Sequence, residues 1–150
     1  MKFIGYYQFA GGIIGLIFVI WGLMYADITT VSMILFVFLM SFYIYSIYCG
    51  FALLERKKNS FLHTTINQSL QIVAFAYGGY TFEYVAGVLF VIDFYSNFPE
   101  INFKLGLSRF NLSINADYSR HALQINLMPV AMLLYLLNIK RAMEREKFDI

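Results

Sequence analysis

Thr64, Asn67, Gln68 and Gln71 place hydroxyl and amide groups at helical spacing in a largely apolar chain. They stand in the segment SFLHTTINQSLQIVAFAYGG, Ser60 to Gly79, directly after the basic run Glu55-Arg56-Lys57-Lys58. On a helix, Ser60, Thr64, Asn67, Gln68 and Gln71 form one stripe, with Leu62, Ile66, Leu70 and Val73 opposite. An unpaired amide in hydrocarbon costs more than one hydrogen bond returns, so the stripe is expected to face protein or water. Three uses follow from that chemistry. The stripe could meet cytoplasmic water and headgroups, act as hydrogen-bonding glue within a bundle or between subunits, or line a hydrated path.

Other reactive groupings are sparse. His63 and His121 fall at opposite ends of the chain's membrane topology as read below, and no HExxH or HxxxH occurs. Glu83 and Asp93 are ten residues apart on one strand, about 33 Å, too far for shared proton work. They are expected to solvate the outer face of a sheet. The single cysteine, Cys49, offers no disulfide and no thiolate metal site. AGGIIG carries glycines but has no strand before it, so phosphate binding is not expected. No catalytic, cofactor-binding or metal-ligating set emerges, and the sequence reads as non-enzymatic.

Composition sets the surroundings of these residues. Hydrophobic residues make up 60% of the 150 and charged residues 13%, with a net charge of +2. Soluble domains carry about 25% charged residues, so this surface is expected to meet a lipid bilayer and not nucleic acid. Four spans are predicted, at about 9–26, 31–54, 60–79 and 122–139, with Pro129 kinking the last. Gly11 and Gly15 form GxxxG, and Gly22 follows one heptad later, which suits close helix packing. Lys2, Arg56, Lys57, Lys58, Lys140, Arg141, Arg145 and Lys147 all fall on one side of such a topology. Both termini are therefore expected in the cytoplasm, with the protein in the plasma (inner) membrane.

Residues 80–117 have a different period. In YTFEYVAGVLFVIDF the large apolar residues sit at even positions, in INFKLGL at odd ones and in FNLSI at even ones again. The switch across Ser108-Arg109 suggests a two-residue hairpin. The region reads as a three-stranded antiparallel meander outside the membrane, since a sheet edge in lipid leaves backbone groups unpaired.

The expected fold is a single, mainly α membrane domain: four transmembrane helices with a small meander between the third and fourth. The expected role is that of a small multi-pass subunit or scaffold, assembling with itself or with a partner membrane subunit. Two alternatives stand beside it. One is a homo-oligomeric pore or membrane-disrupting effector with Thr64, Asn67 and Gln71 inward. The other is a membrane enzyme or lipid-binding transporter using Glu83, Asp93, His121 or Arg120.

Overall fold

The computed structural model describes residues 1–25, 29–95, 101–113 and 122–148. It begins with two long helices, α1 (Lys2–Leu23) and α2 (Thr30–Leu54), packed as an antiparallel hairpin. Apolar residues dominate both, and both are long and apolar enough to cross a membrane. Thr29 starts α2 with a capping box: its hydroxyl accepts from the Ser32 amide, and Ser32 Oγ accepts from the Thr29 amide. Glycines let the two backbones approach. A Cβ on Gly5 would meet Leu54 and the Gly50 carbonyl, and one on Gly12 would meet Ile47 and the Tyr43 carbonyl.

The remainder of the chain departs from the four-span expectation. Residues 60–79 are not a span but α3 (Ser60–Ser69), then strand β1 (Val73–Tyr77), then a turn. Ten helical residues reach only about 15 Å, half the hydrocarbon thickness. Gly78 and Gly79 do not end a helix. Both have positive φ, 57° and 80°, and they join β1 to β2 (Tyr80–Tyr95) with Tyr77 opposite Tyr80. Positive φ at both central residues is the turn that matches the twist of a hairpin.

The predicted fourth span is likewise two elements, β4 (Ala122–Asn126) and α4 (Leu127–Phe148). Its apolar stretch before Lys140 is thirteen residues, or about 20 Å of helix, too short to cross. Pro129 falls in the first turn of α4, where its missing N–H has no helical acceptor to lose, and it does not kink a span.

The sheet has four strands, not three: β1 and β4 come from segments expected to be spans, while β3 (Ile101–Ser113) runs unbroken through Ser108 and Arg109 and replaces two of the expected strands. The parity switch there marks a change in which face is apolar, not a turn. Leu105 and Leu107 are exposed, whereas Ser108 is buried and Phe110 packs toward α2. The irregularity sits instead in β2. Val85 pairs with Arg109 and Val88 with Leu107, so Ala86 and Gly87 together oppose Ser108. This bulge also ends the even-numbered apolar face expected of β2. Tyr84 and Ala86 pack beside Tyr43, but beyond the bulge Leu89 and Val91 are buried and Phe94 is exposed.

Strand order is β1-β4-β2-β3, and β1 also pairs with β2. β2 meets β1 through Tyr80–Phe82 and β4 through Val91–Tyr95, while β1 and β4 pair with each other. The three strands therefore close on one another, leaving β3 terminal among the described strands. The sheet does not perch on the helix ends. It docks against the middle of α1, where a Cβ on Gly11 would lie 2.6 Å from the Gly87 nitrogen and 2.7 Å from the Ala86 carbonyl carbon.

Gly11→Ala is expected to destabilise the protein by about 2 kcal/mol or more, because rigid backbone blocks the added methyl. Gly22, whose added Cβ would meet nothing within 4 Å, is expected to tolerate alanine within about 0.5 kcal/mol. Denaturant titration in detergent measures both.

Candidate functional site

The bend in β2 creates a need for hydrogen bonds. Between its β1-paired and β4-paired ends, residues 83–90 have a strand on one edge only. Side chains from four other elements and from the turn between α3 and β1 fill the gap. Tyr43 Oη of α2 donates to the Val85 carbonyl at 3.4 Å. Gln71 Oε1 accepts from the Ala86 amide at 2.9 Å. Tyr7 Oη of α1 accepts from the Val88 amide at 2.8 Å and donates to the Val88 carbonyl at 3.0 Å, as a strand neighbour would. Asn126 Oδ1 accepts from the Phe90 amide at 3.1 Å and from the Met128 amide at 3.2 Å, so it also caps α4. Ser108 Oγ accepts from the Gly87 amide and donates to the Gly11 carbonyl, at 2.9 and 3.0 Å.

The polar stripe of α3 meets this junction. Ser60, Thr64, Asn67 and Gln68 of α3, and Gln71 in the turn that follows it, are all buried. Asn67 Nδ2 donates to Ser46 Oγ at 3.1 Å, and Ser46 Oγ donates to the Gln8 carbonyl at 3.1 Å. The Tyr84 hydroxyl lies 3.1 Å from Asn67 Oδ1 and 3.0 Å from the Phe42 carbonyl. Burial pushes its pKa up, so it stays protonated and donates. Gln71 Nε2 donates to the Asn67 carbonyl at 3.1 Å. One connected network thus ties α1, α2, α3 and β2 together.

Other buried polar groups stand apart from it. The Gln8 amide, Thr64 Oγ1 and the Gln68 amide are buried and have no hydrogen-bond partner among the described residues. The groups at the junction are amides, hydroxyls and phenols. They can hold backbone and bind neutral polar groups, but they offer no nucleophile-base pair.

The other sequence candidates fall elsewhere. Gly15 packs against the Tyr43 ring, whereas Gly22 is open. His63 Nδ1 lies 3.2 Å from Tyr45 Oη, with the rings of Tyr45 and Tyr48 edge-on to it. Cys49 is buried and its thiol donates to the His63 carbonyl at 3.4 Å. Glu83 does not solvate an outer face. It is buried, with Arg109 Nε 3.2 Å from its carboxylate. Arg120, His121 and the Asp93 side chain lie outside the described residues. Among the described residues no group of three or more His, Cys, Asp or Glu could hold a metal ion.

The sequence reading missed Tyr7, Gln8, Ser46, Tyr84, Ser108 and Asn126. Gln8 and Ser46 carried a signal: each is a lone polar residue on an apolar helical face. Comparison with family models, curated proteins and solved structures returns no match, so the functional reading rests on this geometry.

Asn67→Leu is expected to cost about 3 kcal/mol, because Ser46 and Tyr84 each lose a buried partner. Gln68→Leu, one residue away, removes an unpaired amide and is expected to cost less than about 1 kcal/mol or to stabilise. A larger loss for Gln68→Leu than for Asn67→Leu in thermal unfolding would contradict this network.

Proposed function

We propose that the chain is a membrane-embedded, non-enzymatic subunit that assembles with a partner through the free edge of β3. The observation that carries this reading is that edge. β3 is thirteen residues long and, among the described residues, terminal in the sheet, and Phe103, Leu105 and Leu107 are 65%, 79% and 57% exposed. A long, apolar strand edge is a template for another strand. Beside a helical hairpin in lipid, backbone groups left without a strand partner along such an edge cost several kcal/mol each. A strand from a second copy or from another membrane subunit removes that cost.

The hairpin supplies the anchor. Lys2 and the Arg56-Lys57-Lys58 run lie at the same end of the antiparallel pair, so the positive-inside rule puts both ends of the hairpin in the cytoplasm. A pore lined by Thr64, Asn67 and Gln71 is not favoured. All three are buried, and Asn67 and Gln71 bond within their own chain.

Two experiments test the reading. In a Cys49→Ser background, Tyr25→Cys is expected to react with an impermeant maleimide on intact cells, and Lys58→Cys only after permeabilisation. The reverse pattern overturns the orientation. A photo-crosslinking amino acid incorporated at Leu105 in cells is expected to give a discrete protein adduct that Leu107→Lys abolishes. Absence of any adduct at Leu105 defeats the assembly role.

A further inference from the structure

A second feature lies away from the polar junction. Between the first turn of α1 and the first half of α4 is a cavity of about 360 Å³, lined by Phe3, Ile4, Met128, Ala131, Met132 and Tyr135. Ile4 and Met132 are buried, while Phe3, Ala131 and Tyr135 are exposed along it. Among its described lining residues the Tyr135 hydroxyl is the only polar side-chain group. The volume is near the lower end of ligand sites, which run from roughly 300 to 1,000 Å³. That suits a slender apolar occupant.

Charge identifies the occupant's other end. Ile4 packs with Leu53, Met132 and Leu136. Lys140 follows Leu136 by one turn of α4, about 6 Å along the axis, and Arg141 comes next. Lys2 adjoins Phe3, and Arg56, Lys57 and Lys58 follow Leu53 within about a turn. Lys2, Arg56, Lys57, Lys58, Lys140 and Arg141 are all exposed, with Lys57 ion-paired to Glu55 at 3.1 Å. An apolar groove thus ends beside a collar of cations. Segments 1–2, 55–58 and 140–149 hold eight basic and four acidic residues (8 − 4 = +4), whereas the remainder of the chain holds three and five (3 − 5 = −2).

We infer that this groove binds one acyl chain of an anionic phospholipid, with the lipid phosphate at the basic collar. Apolar lining takes the chain, and clustered Lys and Arg at a cytoplasmic boundary take anionic headgroups. The inference rests on the membrane reading above.

The test reconstitutes the full chain into vesicles of equal phosphatidylglycerol and phosphatidylcholine. Flotation comes first, then extraction in mild detergent and native mass spectrometry. One retained phosphatidylglycerol per chain is expected, at least fivefold over phosphatidylcholine. Ala131→Trp, which fills the groove, is expected to reduce retention at least fivefold with helix content unchanged by circular dichroism. If that variant does not insert, Ala131→Leu is the replacement, with a smaller loss expected. Lys140→Gln with Arg141→Gln is expected to erase the headgroup preference. Equal retention of the two lipids, a retained free fatty acid instead, or groove variants that retain lipid like the unaltered chain would overturn the proposal. A chain that fails to float with vesicles overturns the membrane reading itself, a separate outcome.

Discussion

The bulge at Ala86-Gly87 governs how the sheet is built and how it meets the helices. One extra residue bends β2 so that its two ends can join β1 and β4. The bend leaves backbone groups that no strand can reach, and buried backbone groups must be paired. Tyr7, Tyr43, Gln71, Ser108 and Asn126 pair them. Each comes from a different element or junction, so meeting one local need fixes how the sheet sits on the helices. Gly11 is part of the same constraint, since only a bare Cα allows α1 to lie on the bulge.

This explains how so apolar a chain holds so many buried polar side chains. A hydrogen bond contributes only about 1 kcal/mol net, but an unmet buried donor or acceptor costs about 1–3 kcal/mol. The polar residues of α3 act mainly by avoiding that loss. Their apolar neighbours Leu62, Ile66 and Leu70 are exposed, which puts the two faces of α3 in opposite surroundings. The outer surfaces of the hairpin and of β3 are apolar as well, and that combination suits an environment with little water.

The sequence disclosed some of this and concealed the rest for identifiable reasons. The first two helices were legible because residues 3–23 and 31–54 are long, uncharged apolar runs, although α1 starts at Lys2, seven residues before the expected position. The stripe on α3 was legible from its spacing. The change from helix to strand near Ile72 was not, because a short apolar run before glycines fits either a span or a strand. Gly78-Gly79 was the stronger hairpin signal, but the parity switch at Ser108 drew the turn there. A bulge in one strand shifts the partner's register without any mark in the partner's own residues. The closure of β1 on β4 depends on residues some fifty positions apart, which no local window contains.

That separation bears on the order in which the chain can fold. The helical hairpin needs only near neighbours and can form early. The sheet needs Tyr7 to reach Val88, 81 residues on, and Ser108 to reach Gly11, 97 residues back. Until β4 has been synthesised, β1 lacks one partner and the far half of β2 lacks its inner neighbour. A nascent chain therefore passes through a stage with open, apolar strand edges beside a finished hairpin. Such edges recruit wrong partners, so the protein's most hazardous moment is its own synthesis.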